Sequence, residues 1–193
     1  MSTSASTIPL SPNIGSQIGQ LKNVFRVLAK PGDQRQAQAL KLRKRISESW
    51  EEQTAQDKYF QGPTTAAPFG AGDLRNVFWR PKGMLDFLGY HVGVVQPTSR
   101  SERHCILEYV FECYLPPLND PGYLSEWGRP QTARRLEKLA DSLAAFTRNA
   151  RRRNNRSFDA AIDDWEDDLA FLYDRYYVSF ARFWWPTTGV SLN

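Results

Sequence analysis

Cysteine is nearly absent: Cys105 and Cys113 are the only two in 193 residues. Two thiols in a chain of this length do not make a disulfide framework, so a reducing compartment and a cytoplasmic location are expected. Histidine is as scarce, with only His91 and His104. The four residues follow the spacing H-x12-H-C-x7-C. Structural zinc sites show close cysteine pairs instead, so no metal or other cofactor is expected. No apolar run approaches the ~18 residues of a membrane span, which argues against a membrane partner. The first residues, Met1 to Thr7, lack a basic stretch followed by an apolar one, so no secretory leader is expected. The chain also lacks a P-loop, a G-x-S-x-G elbow, a G-x-G-x-x-G turn after a strand and an H-E-x-x-H helix. Each of these patterns positions the groups for a particular chemistry, and without them the expectation is a non-catalytic protein.

Aromatic side chains are plentiful, with six Trp, eight Tyr and eleven Phe. Hydrophobic residues make up 41% and charged residues 24%, the balance of a globular body. The length suits one domain with a core, plus an arm. The net charge of +4 is unevenly spread. Residues 1–60 and 100–156 each carry an excess of +4, and residues 61–99 an excess of +1. Residues 157–193 carry −5, from two basic and seven acidic groups. A basic body attracts polyanions at long range.

Periodicity predicts a mainly α fold: a helical bundle with a C-terminal antiparallel helix hairpin, an N-terminal helical arm and a minor β ribbon as an option. Residues 1–17, rich in Ser, Thr and Pro, read as a disordered tail. Residues 18–60 read as the arm. Ile18, Leu21, Val24, Phe25 and Leu28 form one stripe, ended by Pro31 and Gly32. Asp33 is a candidate cap for a second helix with Ala39, Leu42, Ile46 and Trp50 on its apolar stripe, extending to Tyr59. Residues 61–73 read as a linker, residues 74–186 as a helical domain and residues 187–193 as a tail. Residues 76–79 and 91–95 have strand character and are the candidate ribbon.

Within the domain, Met84 to Leu88 should be a short helix closed by Gly89. Ser99 and Glu102 form a capping box for a helix through Tyr114. Asp120 and Pro121 start another short helix, closed by Gly128. Thr132 should cap a long helix with Leu136, Leu139, Leu143, Phe146 and Ala150 on one face. Ser157 should cap the last helix, with Ile162, Trp165, Leu169, Leu172 and Tyr176 on its stripe. A short polar turn joins these last two helices, so they should pack antiparallel.

Residues 123–139 resemble a helix-turn-helix: a short helix, a tight turn containing Gly128, and a second helix opening with Thr132, Arg134 and Arg135. The resemblance implies a second helix lying in the major groove of DNA, with Arg134, Arg135 and Lys138 at bases or phosphates. Two further basic clusters could neutralise phosphates: Lys41, Arg43, Lys44 and Arg45 in one, Arg151, Arg152 and Arg153 in the other. Cations in the last turn of a helix also complement its dipole, so the second cluster has a purely structural explanation. Nucleic acid is the first expected partner.

A protein partner is the second. Tyr177, Trp184 and Trp185 belong to a run of aromatics larger than one helical stripe can bury, and such residues are favoured interface anchors. They could equally fold back over the open end of the bundle. A third pattern, Asp163-Asp164-Trp165-Glu166-Asp167, resembles the magnesium–diphosphate motif of all-helical prenyl-chain synthases. That resemblance would imply a magnesium site at Asp163 and Asp167. No second aspartate-rich motif accompanies it, and an acidic helix start accounts for the same residues. His104 and Glu108, one helical turn apart, are a candidate acid–base pair or a surface contact.

Overall fold

The computed structural model describes residues 12–32, 34–60, 83–153, 155–180 and 183–189. Among them the chain forms α1 (Pro12–Leu28), α2 (Gln36–Ala55), α3 (Met84–Leu88), α4 (Arg100–Glu112), α5 (Pro121–Trp127), α6 (Ala133–Arg152) and α7 (Asp159–Tyr176). Two 3-10 turns flank α7, and no strand is present among the described residues. The fold is mainly α, a bundle. Among the described residues, no helix is long and apolar enough to cross a membrane.

Helix α1 begins six residues earlier than its predicted start at Ile18. Proline suits a helix start because its missing N–H would be unpaired there anyway. Ile14 extends the stripe of Ile18, Leu21 and Phe25 by one turn and is fully buried. The predicted disordered tail therefore overlaps a helix from residue 12 onward. Helices α1 and α2 also do not stand apart as an arm. Phe25 and Trp50 pack edge-on against Tyr109 of α4, at 5.5 and 6.2 Å between ring centroids. Trp50 Nε1 donates to Gln17 Oε1 at 2.7 Å, so the one polar atom of that buried indole is satisfied. Ile14, Ile46, Trp50, Leu107, Leu143 and Leu172 belong to one continuous core.

Local capping follows the sequence closely. Gly89 closes α3 at φ +92°, a left-handed conformation in which a Cβ would be strained. Ser99 accepts from the Glu102 N–H, and Asp120 accepts from the Tyr123 N–H with Pro121 opening α5. The Thr132 hydroxyl accepts from the Arg135 N–H at 3.3 Å and starts α6. Thr132→Ala should lower stability by about 1 kcal/mol, read as a shift in the urea midpoint at unchanged slope. The last helix departs from expectation. Asn155, not Ser157, supplies the capping oxygen, and it caps a 3-10 turn that leads into α7. Asp33, the linker and the first candidate strand lie outside the described residues.

Residues 91–95 form an irregular loop, not a strand. Their polar groups are taken up locally. The Thr98 hydroxyl accepts from the His91 N–H and donates to the Gly89 carbonyl, and the Gly93 N–H donates to Asp164 on α7. A ladder partner is therefore not needed to satisfy them. Helices α6 and α7 pack as the predicted hairpin. Leu136, Leu139 and Leu143 of α6 and Leu169 and Leu172 of α7 are all buried in the shared core. Helix α4 packs against both and brings its own charged face against α7.

Candidate functional site

At the corner between α5 and α6, two of the three candidate cations, Arg135 and Lys138, are engaged within the protein. Arg135 is only 3% exposed. Its guanidinium donates to the carbonyls of Val110 and Cys113 at the end of α4, and to those of Trp127 and Gly128 at the end of α5. The distances run from 2.6 to 3.2 Å. Helix ends leave such carbonyls without intrahelical partners, and a planar five-donor group can collect several at once. Burial pushes the Arg135 pKa down to about 10, yet it remains charged at neutral pH. The expectation that Arg135 contacts nucleic acid is overturned by this burial. Lys138 pairs with Glu126 across the corner at 3.0 Å. Arg134 is exposed, with its stem packed against Gly128, where a Cβ would lie 3.2 Å from Arg134 Cγ.

The other basic groups divide in the same way. Arg43 is largely buried. It forms an ion pair with Glu112, donates to the Cys113 sulfur at 3.4 Å and lies over the Tyr109 ring. Lys44 pairs with Glu48 one turn along α2 at 3.7 Å, while Lys41 and Arg45 are exposed. Arg151 reaches Glu166 of α7 at 2.7 Å and the Thr188 carbonyl at 3.1 Å. Arg153 lies over the Phe158 ring, and Arg152 is exposed. The predicted phosphate contacts thus include several groups already matched to an acid, a ring or a carbonyl.

The C-terminal aromatics split into a packed set and one free indole. Trp185 sits edge-on to Tyr173 and Tyr177 at 5.3 and 5.0 Å, and Phe183 packs against both Tyr177 and Trp185. The Tyr177 hydroxyl donates to the Phe183 carbonyl at 2.6 Å. Arg148 and Arg151 hold the carbonyls of Thr187 and Thr188, and the Thr188 hydroxyl donates to Glu166. The segment 183–189 is thereby fastened to α6 and α7. Trp184, in the middle of this fastened segment, is 96% exposed.

A fourth cluster, where α4 crosses α7, was not legible as a unit in the sequence. Asp168 is fully buried. Its Oδ2 accepts from Tyr90 at 2.6 Å and from Arg103 Nε at 2.8 Å. Arg103 also reaches Asp164 at 3.0 Å. Burial and the adjoining Asp168 push the Tyr90 phenol well above its ordinary pKa, so it stays a donor. Asp167 pairs with Arg100 at 2.5 Å. His104 lies between the two aspartates and stacks on Phe171, with centroids 3.9 Å apart and planes 5° from parallel. The proposed His104–Glu108 pair is not what forms: Glu108 binds Arg175 at 2.9 Å instead. The Asp163/Asp167 pairing also does not form a shared site. Asp163 is exposed, whereas Asp167 turns toward α4. The signal for this cluster is the i, i+3, i+4 spacing of Arg100, Arg103 and His104 set against Asp164, Asp167 and Asp168 with the same spacing. Only the crossing of the two helices makes those faces meet.

Comparison with protein-family models, curated protein sequences and solved structures found no match to this chain.

Proposed function

We propose that this protein is a helical interaction module that docks a protein partner through Trp184. The carrying observation is a nearly fully exposed indole on a segment pinned by hydrogen bonds to α6 and α7. An exposed tryptophan on a preorganised segment pays little ordering entropy on binding and fills a pocket with a large apolar area. The same segment lines a shallow groove of mixed polarity, in which Leu169, Ala170, Trp185 and Pro186 stand with Glu166 and Thr188. Asp163 and Asp174 are exposed on α7. The complementary partner surface is an apolar pocket deep enough to take the indole.

Trp184→Ala should weaken binding of the partner retained by the wild-type chain by ~30-fold or more, in line with a hot-spot anchor. Its thermal unfolding and helical circular dichroism should match wild type, since the side chain contributes almost no burial. Equal affinity of the variant and wild type, measured by calorimetry on the purified pair, would refute this reading.

Nucleic-acid binding is the second reading, favoured by the exposed position of Arg134 at the start of α6, with Lys41, Arg45 and Arg152 also exposed. It is placed second because Arg135, Arg43, Lys138 and Arg151 have protein partners. A gel-shift series separates the two: duplex or single-strand binding that falls steeply with salt and is weakened by Arg134→Ala would favour nucleic acid.

A further inference from the structure

We propose that His104, Asp167 and Asp168 form a binding site for one divalent cation of the zinc type, built across the α4–α7 crossing. The three facing atoms are His104 Nε2, Asp167 Oδ2 and Asp168 Oδ1, all within 4.8 Å of one another. The imidazole nitrogen is 3.6 Å from Asp167 Oδ2 and 3.3 Å from Asp168 Oδ1. A tetrahedral zinc with bonds of about 2.0–2.2 Å separates its ligands by about 3.3–3.6 Å. Two of the three separations therefore match edges of such a tetrahedron, and the third, within 4.8 Å, closes with a small side-chain adjustment.

Hydrogen bonding around the cluster points the same way. Each carboxylate has one oxygen occupied by an arginine of α4. Arg100 holds Asp167 Oδ1, while Arg103 and Tyr90 hold Asp168 Oδ2. The remaining oxygen of each is turned toward His104. Asp167 Oδ2, Asp168 Oδ1 and His104 Nε2 are all shielded from solvent, and none has a hydrogen-bond partner among the described residues. Asp168 is itself fully buried, so its free oxygen is out of reach of bulk solvent. A buried, unpartnered acceptor costs free energy, and a cation at the centre would satisfy all three atoms together. Partners that hold the outer oxygen of a ligating carboxylate are the usual way metal ligands are oriented. Phe171 fixes the ring plane of His104 by stacking.

The donor set selects among metals. Magnesium and calcium take oxygen ligands in six- to eight-fold shells, whereas one imidazole with two carboxylates suits a borderline cation. Three protein ligands leave a fourth position open, filled by water or by a ligand from outside. His104 and Asp167 are 19% and 34% exposed at the side chain, which gives the ion a route in. A proton on His104 could occupy the same gap as an ion pair with the two carboxylates, and the experiment distinguishes it from a metal.

The chelator-stripped full chain is titrated with Zn²⁺ and with Co²⁺, following heat, melting temperature and the visible absorption of cobalt. One ion per chain is expected, with tetrahedral cobalt bands. A rise of roughly 5–10 °C is expected at a hundredfold excess over Kd, and no comparable rise with Mg²⁺. His104→Gln and Asp167→Asn should each weaken zinc binding at least tenfold while melting close to the stripped wild type. Asp168 is left intact because of its part in folding. Absence of heat and of a melting shift with both metals would leave the proton-held ion pair as the occupant and overturn the proposal. Zinc affinity unchanged in both variants would do so as well.

Discussion

Replacing Asp168 with Ala is expected to lower folding stability by about 3–5 kcal/mol, the usual range when one partner of a buried ion pair is removed. Asp168 is fully buried and Arg103 is 4% exposed. The substitution strips Arg103 of its closest counter-charge and leaves the Tyr90 hydroxyl without its acceptor. The guanidinium retains Asp164 at 3.0 Å and the Thr98 carbonyl at 3.1 Å, so the chain should still fold at low temperature. Asp168→Asn keeps the shape and one acceptor and should fall between the two. A double-mutant cycle with Arg103→Ala isolates the pair itself, and a coupling of ~0.5–3 kcal/mol is expected for groups in direct contact. A loss below about 1 kcal/mol for Asp168→Ala, by urea denaturation, would mean that the α4–α7 crossing is not held by this pair. The size of the effect matters because domains of this kind have only about 5–15 kcal/mol in hand.

Arg135→Ala should be comparably damaging, at about 3–5 kcal/mol. One guanidinium satisfies four carbonyls at the ends of α4 and α5, and a hydrogen bond from a charged donor contributes about 1.5–3 kcal/mol each, short of additivity. The truncation leaves the buried Val110 and Trp127 carbonyls and the half-buried Cys113 and Gly128 carbonyls without this donor, and opens a cavity as well. Arg135→Lys should recover only part of the loss, because an ammonium at the end of a flexible stem cannot span both helix ends as a planar fork does. Thermal or urea unfolding reads both variants directly. Arg134→Ala, one position away but exposed, should change stability by less than about 0.5 kcal/mol. The contrast between neighbours tests whether the corner is a structural joint. Equal and small effects at both positions would mean that Arg135 is not locked in place.

The same arginine shows how much of the site could be read in advance. Leu136 and Leu139 announce the buried face of α6, and Thr132 announces its start; both features are local. Arg135 sits beside that stripe in sequence and would be taken as exposed by its charge. Its burial depends on the ends of α4 and α5 arriving at the same point, and no spacing within α6 encodes that. Trp184 and Trp185 make a similar pair. Two adjacent indoles are indistinguishable in sequence, yet one is packed among Tyr173, Tyr177 and Phe183 and the other stands in solvent. Ile14 was legible in principle, since it continues the α1 stripe by four residues. The Ser- and Pro-rich composition around it masked the period.

By itself, the sequence determined the helical class, the α6–α7 hairpin, and most caps and breaks, including Gly89, Ser99, Asp120, Gly128 and Thr132. These depend on backbone geometry and on periods of three and four residues, which act over a single turn or stripe. Tertiary structure alone decided which charges are free and which are consumed. It set Arg103 and His104 of α4 against Asp167 and Asp168 of α7, more than sixty residues away. Burial, ion pairing and the gathering of donor atoms around one point depend on distances between elements, and those distances exist only once the helices have packed.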